Sequence, residues 1–467
     1  METYNLLIDG RLVTGDMMMP VINPATGDTL AMCPRASAAQ ANAAIAAARS
    51  AFPSWAATPI AERRRTLIVL ADAIGRNAEQ LARLLTQEQG KPLAEASYEI
   101  GAAESFIRQL AELDLEPRQI KSGSHRRVQV IQRPLGVVAA IMTWNFPVLL
   151  LAFKLPAALL AGNCVVVKPA STTPLTSLRI GELCAEIFPP GVVNIISDAD
   201  DLGPLLTQHA DVAKVSFTGS VATGRRIMAS AANALKRITL ELGGNDAAIV
   251  LDDADVDKTA AGLYAGAFWN AGQVCIAIKR AYVHDSIYDA VCAQLAQLAD
   301  AAVLGDGLSP GTQIGPLQNK AQFEKVKGFL ADARQSGKVI AGGTILDRSG
   351  YFVRPTIVRD VADGCKIVDD EQFGPILPVI RYSDVDDAIE RANRSPYGLG
   401  ASIWSSDTER AWRLAARLES GTVWINKHPD LDPRIPFGGA KDSGIGVELG
   451  EEGLREFTQM QVMSMPN

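Results

Sequence analysis

From Leu135 onward the chain alternates short β-branched runs with segments of helical period, and no other feature limits its fold as much. The runs are Val137 to Ile141, Val165 to Val167, Val192 to Ile196, Lys214 to Phe217 and Ile238 to Leu242. Runs that are largely apolar suit a sheet buried on both faces, and the helical segments between them supply the crossovers that parallel pairing needs. The expected class is therefore α/β. Before this region, an Ala-rich stretch from Ser37 to Leu113 carries apolar residues at helical spacing, such as Leu67, Leu70, Ala71 and Ile74, and reads as covering helices. A second set of strand and helix signals runs from Ala247 to Trp424. It includes Arg280 to Val283 ahead of a helix over Ser286 to Ala302, then Thr422 to Ile425, and suggests another α/β domain.

At 467 residues and 48% hydrophobic content, the chain exceeds one ordinary core. With 45 Lys and Arg against 52 Asp and Glu and no polybasic cluster, nucleic acid is not an expected partner. The start, Met1 to Gly10, shows no basic segment ahead of an apolar core, so the cytoplasm is the expected location. The longest apolar region, Leu135 to Val167, is interrupted by Asn145, Pro147, Lys154, Pro156 and Asn163, and reads as buried sheet and helix rather than a membrane span. Six cysteines without paired spacing argue against a disulfide framework. Four scattered histidines, His125, His209, His284 and His428, argue against a metal site.

Four local patterns carry groups able to do chemistry. Lys214-Val-Ser-Phe-Thr-Gly-Ser220 ends an apolar run in Gly-Ser and precedes the helix-period residues Ile227, Met228 and Ala231. Ser220 is placed as an N-cap and Gly219 lets backbone approach a ligand, so this helix start could hold a pyrophosphate. The pattern lacks the usual glycine fingerprint, and an ordinary strand-to-helix turn explains it at least as well. Val165-Val-Val-Lys168 ends a buried strand in a cation at the carboxyl edge, where open α/β sheets bind ligands; a solvated lysine is the alternative. Ile238-Thr-Leu-Glu241-Leu-Gly-Gly244 puts a carboxylate at a strand end. Partial burial there would raise its pKa and make it a general base, whereas exposure would leave an ordinary acid. Phe268-Trp-Asn-Ala-Gly272-Gln-Val-Cys275 breaks a helical stretch at glycine and leaves a thiol just beyond. That thiol is the best ready-made nucleophile of the set, although free cysteine is equally at home in a core.

Taken together, Thr143-Trp-Asn-Phe-Pro147, Lys168-Pro-Ala, Phe217-Thr-Gly-Ser220, Leu240-Glu-Leu-Gly-Gly244, Gly272-Gln-Val-Cys275, Glu371-Gln-Phe-Gly-Pro375 and Pro436-Phe-Gly-Gly439 resemble the aldehyde dehydrogenase family in order and spacing. Ile8-Asp-Gly and Asn23-Pro-Ala-Thr-Gly27 resemble its N-terminus. The resemblance implies a Rossmann-like dinucleotide-binding domain over 1–115 and 135–243 and an α/β catalytic domain over 244–442. It also implies a small β oligomerisation flap with C-terminal segment over 116–134 and 443–467, its last strand near Gln461 to Met465. Such an exposed edge strand would pair subunits into a homodimer or homotetramer.

By the same resemblance Cys275 is the nucleophile toward an aldehyde carbonyl, and the Asn145 amide with the Cys275 backbone N–H binds the oxyanion. Such donors are worth roughly 3 kcal/mol each in a dry site. Glu241 would activate water against the resulting thioester, and Glu448 would relay protons, or else be a helix-start carboxylate favoured by the dipole. For the cofactor, NAD or NADP, the resemblance places Lys168 and Ser220 at the adenosine and phosphates and Glu371 and Phe373 at the nicotinamide ribose. Trp144, Gly219 and Gly243 line the same site. Ser171 departs from the family pattern, since many NAD-dependent members carry a glutamate there that bonds the adenosine ribose and repels a 2'-phosphate. Use of both cofactors is expected, tilted toward NADP by Lys168. Thr143 is a second departure, standing where proline is common.

Transfer of the acyl group to coenzyme A is the sister reaction, but those relatives generally lack a counterpart of Glu241. A non-catalytic scaffold keeping the fold is opposed by the presence of Asn145, Glu241 and Cys275 together, and a thiol hydrolase by the lack of a histidine beside Cys275 in sequence. Phe146, Leu150, Phe153, Trp269, Ile276 and Phe437 are the tunnel candidates, with the Lys427 to Arg434 loop at the mouth. Their apolar and aromatic character favours an uncharged aliphatic or aromatic aldehyde over a semialdehyde bearing a carboxylate.

Overall fold

The computed structural model describes residues 3–120 and 126–466. The expectations resting on Met1, Glu2 and His125, and on part of the 116–134 segment, lie outside the described residues.

The five apolar runs become the parallel centre of an eight-stranded sheet. In space they run Val193–Ile195, Cys164–Lys168, Val137–Ile141, Val212–Thr218, Arg237–Glu241. Their largely unbroken burial is the physical reason the residues do not alternate between apolar and polar. An antiparallel hairpin, Leu6–Ile8 with Arg11–Val13, extends one edge. At the other edge Gly444–Ile445 pairs antiparallel with Arg237–Glu241. Gly444–Ile445 lies in the 443–467 stretch expected to form flap and C-terminal segment. The C-terminal segment first covers the strand bearing Glu241, whose backbone would otherwise be an open edge.

Strand order reverses between Val137–Ile141 and Val212–Thr218: later strands were added first to one side of the central strand, then to the other. A crevice opens outside the carboxyl ends at such a reversal. The helices Ala38–Ala57, Ile60–Arg76, Ala78–Gln89 and Leu93–Ala111 make up the N-terminal covering layer. The first begins at a capping box between Ser37 and Gln40. Helix Pro147–Leu160 is buried along its whole length, including Lys154, so it has neighbours on every side. Among the described residues, no helix is long and apolar enough to cross a membrane.

A second sheet with its own core holds seven strands, in the order Lys338–Ala341, Thr356–Arg359, Ile376–Tyr382, Ile278–His284, Asp246–Val250, Gly400–Trp404, Thr422–Ile425. All its pairings are parallel except that of the first strand. Where a flap was expected lies a three-stranded antiparallel sheet of Arg118–Ile120, Arg126–Pro134 and Thr458–Pro466. Its last strand is an edge, longer than expected, that exposes Met460, Val462, Met463 and Met465.

Candidate active site

At the strand reversal lies a cleft of about 740 Å³, lined by Met142, Thr143, Trp144, Lys168, Ser171, Asp200, Thr218, Gly219 and Arg226 among others. Lys168 ends its strand almost wholly buried, and its charge is not free: Nζ lies 2.6 Å from Asp198 and 3.4 Å from Asp200. Ser171 Oγ donates to Asp200 Oδ2 at 2.6 Å. The lone cation expected beside Ser171 is therefore a compensated one.

Ser220 caps helix Val221–Ala232, its Oγ accepting the Thr223 N–H. Gly219 lines the cleft, and its own N–H is taken by the Glu241 carbonyl at 3.0 Å. A Cβ there would stand 2.4 Å from the Phe217 ring, so close packing also demands glycine. Thr172 and Thr218 line the cleft with buried hydroxyls that have no protein partner. A buried hydroxyl without a partner is costly unless a ligand or water meets it. The strand-end cation, the capped helix start and these two hydroxyls fit the ribose and phosphate groups of a dinucleotide.

On the far side, Glu371 accepts the Gly244 N–H at 3.0 Å and stands 3.8 Å from Lys279 Nζ. A Cβ at Gly243 would meet its carboxylate at 2.7 Å. Phe373 packs edge-on against Trp144, ring centroids 5.3 Å apart. The left-handed backbone of Phe373, with φ of 53°, is held by Gln322, whose amide donates to the carbonyls of Gln372 and Phe373.

The thiol is presented by an irregular turn. Helix Val256–Phe268 ends, and Trp269–Gly272 turns with Asn270 and Ala271 at positive φ of 49° and 54°. Strain of this kind persists only where neighbours fix it. Gln89 Nε2 holds the Asn270 side chain, and Lys279 Nζ donates to the carbonyls of Val274 and Cys275 at 2.8 and 2.7 Å. Asn145 reaches this turn from the first sheet: its Nδ2 donates to the Gln273 carbonyl at 2.9 Å, and its own carbonyl accepts from Lys91 and Asn270. Lys91 in turn pairs with Glu99 at 2.5 Å, and Glu99 accepts the Val148 and Leu149 N–H groups at the start of helix Pro147–Leu160.

Although Cys275 keeps some solvent access, burial pushes its thiol up to about 12; Lys279 pulls it down, while Glu241, Asp246 and Glu371 push it further up. It is therefore not a standing thiolate in the free protein. Burial also raises Glu241 well above the ordinary carboxylate range, helped by Glu448 and opposed by Lys154. Both Glu241 oxygens are buried without a protein partner. Glu448 is buried too, bonded to Lys154 and, at 3.1 Å, to Ser216 Oγ. Glu448 stands two residues ahead of helix Gly450–Arg455.

Of the six tunnel candidates, Phe146, Leu150, Phe153, Ile276 and Phe437 are buried. Phe146 packs against Trp269 at 4.8 Å, Phe153 stacks on Phe106, and Phe437 pairs through its backbone with Glu448. Trp269 reaches a second cleft of about 410 Å³, shared with Glu95, Tyr264, Phe268 and Gln313. Burial raises Glu95 to about 7. Sequence separation hid that His428 folds next to the thiol turn, yet its Nε2 contacts the Ile276 carbonyl at 2.7 Å, not the sulfur. Lys91, Glu99, Asn270, Gln273, Lys279 and Lys154 were all missed; the only signal was charge inside otherwise apolar helical stretches, as at Lys154.

The family model described as "Aldehyde dehydrogenase family" matches residues 13–463. A phenylacetaldehyde dehydrogenase of Pseudomonas fluorescens is 41% identical over 478 residues, covering 97% of this chain and 94% of that protein. The NADP(+) succinate-semialdehyde dehydrogenase GabD of Escherichia coli is 40% identical over 475 residues, covering 98% of both. Among solved structures, an aldehyde dehydrogenase of Bacillus cereus in complex with NAD+ superposes with a TM-score of 0.97 at 37% identity, over 100% of this chain and 97% of that one. The chain belongs to the aldehyde dehydrogenase family. It is an oxidoreductase of that fold, oxidising an aldehyde with NAD or NADP.

Proposed function

We propose that Cys275 forms the covalent intermediate and Glu241 resolves it. The thiol loses its proton and sulfur adds to the aldehyde carbon, giving a thiohemiacetal whose oxyanion is met by the second N–H of Asn145 Nδ2 and the Cys275 backbone N–H. Asn145 is aimed by the carbonyl of Gln273, which occupies its first N–H. NAD or NADP, when bound, would supply the hydride acceptor, and a pyridinium charge near Cys275 would favour its thiolate form. Once hydride has left, the carbon is a thioester. Glu241 takes a proton from water, hydroxide adds, the C–S bond breaks, and the carboxylic acid leaves. Glu448, with Lys154, passes that proton away from Glu241.

Lys168 and Ser220 hold the adenosine and phosphate end, Glu371 and Phe373 the nicotinamide ribose, with Trp144, Ser171, Gly219 and Gly243 around them. The observation that carries the reading is a desolvated carboxylate, both oxygens unpartnered, within electrostatic reach of a desolvated thiol. For the substrate, an uncharged aliphatic or aromatic aldehyde is supported by the cleft at Trp269, whose lining is aromatic and apolar around Glu95 and Gln313 and holds no lysine or arginine, the nearby Lys91 being paired with Glu99. A carboxylate-bearing aldehyde would find no counter-charge there. We divide the chain as the resemblance suggested, with Gly444–Ile445 moved to the dinucleotide-binding sheet. The exposed edge Thr458–Pro466 pairs subunits into a dimer or tetramer, and the protein is cytoplasmic.

The test is an aldehyde panel assayed with each cofactor, reading reduced nicotinamide, on the native protein and Cys275→Ala. Turnover should fall by more than ~10⁴-fold in the variant while cofactor binding survives. An active Cys275→Ala enzyme overturns the assignment, and faster oxidation of anionic than of neutral aldehydes overturns the substrate class.

A further inference from the structure

The loop after strand Val193–Ile195 carries three aspartates, and their placements differ. Asp198 is wholly buried, pairs with Lys168 and accepts the Leu202 N–H at 2.8 Å. Asp201 pairs with Arg35 at 2.8 Å and accepts the Ala199 N–H. Both anchor the loop. Asp200, between them, has a left-handed backbone with φ of 64° and a side chain 70% exposed, and it lines the dinucleotide cleft. Its carboxylate is one hydrogen bond from Ser171, the position from which the family's glutamate reads the ribose.

We propose that Asp200 is the ribose-reading residue of this chain: it accepts from the adenosine 2'-hydroxyl, excludes a 2'-phosphate, and tilts the enzyme toward NAD. This deepens the proposed cofactor site and rests on it. Contact decides the direction. Lys168 is compensated by buried Asp198, so the charge that touches Ser171 is the Asp200 carboxylate. Arg226 also lines the cleft, and its Nη2 donates to Thr223 Oγ1 on its own helix. A ribose hydroxyl can donate to a carboxylate, while a phosphate dianion has no proton to give and is repelled. Because Asp200 is exposed, salt screens the repulsion over roughly 8 Å at physiological ionic strength, so discrimination should be about tenfold rather than absolute.

Equilibrium titration of NADH and NADPH, followed by their fluorescence, tests this without reference to turnover. The native protein should bind NADH roughly tenfold more tightly, with the gap narrowing as salt is raised. Asp200→Asn keeps the shape of an exposed side chain and removes its charge; it should close most of the gap by strengthening NADPH binding, and its remaining ratio should not respond to salt. Equal binding of the two by the native protein, or a ratio unchanged in Asp200→Asn, overturns the role of Asp200 while leaving the cofactor site intact. Failure of both nucleotides to bind overturns the site itself.

Discussion

The two parallel sheets share an architecture but meet the site with opposite ends. The first turns its strand carboxyl ends toward it: Asn145 follows Val137–Ile141, Lys168 ends Cys164–Lys168, Gly219 follows Val212–Thr218, and Glu241 ends its own strand. The second turns its amino ends: Asp246 opens one strand, Cys275 precedes Ile278–His284, and Glu371 and Phe373 precede Ile376–Tyr382. The first edge stays open as a large cleft, whereas the second is packed around the thiol turn by Lys279, Gln273 and Asn270. The difference separates two tasks. An open edge admits a long, charged cofactor; a closed one holds a strained turn where a single sulfur must stay put.

The comparison breaks most visibly at Glu241, the carboxyl-end residue nearest the chemistry. Glu241→Gln should keep a stoichiometric burst of reduced cofactor but slow steady turnover by about 10³-fold, seen by rapid mixing. Because the base works deprotonated and burial raises its pKa, native deacylation should fade as pH drops through a value above the ordinary carboxylate range, and this limb should vanish in the variant. Asn145→Ala, which removes the donor joining the two edges, should cost about 10²-fold in kcat and slow the burst as well. An undiminished burst would assign Asn145 to positioning alone. Lys279→Met probes the closed edge only. It should cost about tenfold in kcat, less than the ~100-fold that a ~1 Å displacement brings, with a smaller loss of NADH affinity through its neighbour Glu371; an equal loss of NADH binding would show that the edges do not divide the work.

How legible the site was follows the same divide. The strands of the first sheet could be read because their residues are apolar on both faces, and the carboxyl-end rule then points at Lys168 and Glu241. No such rule covers amino ends, so Cys275 emerged only as one thiol of six until the joint resemblance singled it out. Nothing in the local sequence of helix Leu93–Ala111 singles out Glu99; it is buried and caps helix Pro147–Leu160, far along the chain. Asp200 was illegible for the opposite reason. A run of aspartates reads as a solvated turn, and which member faces a ligand depends on how Lys168 and Arg35 hold its neighbours.

The pairing of Gly444–Ile445 with the strand of Glu241 bears on how the enzyme comes into being. During translation, Cys275 emerges from the ribosome long before the residues that flank the proposed base: Gly444 opposite Glu241, then Glu448 beside Lys154. Under the proposed mechanism, a nascent polypeptide carries its thiol before the means to hydrolyse an acyl group from it are complete. Deacylation would wait for the tail, and a chain truncated ahead of Gly444 would be acylated once and remain a dead-end adduct.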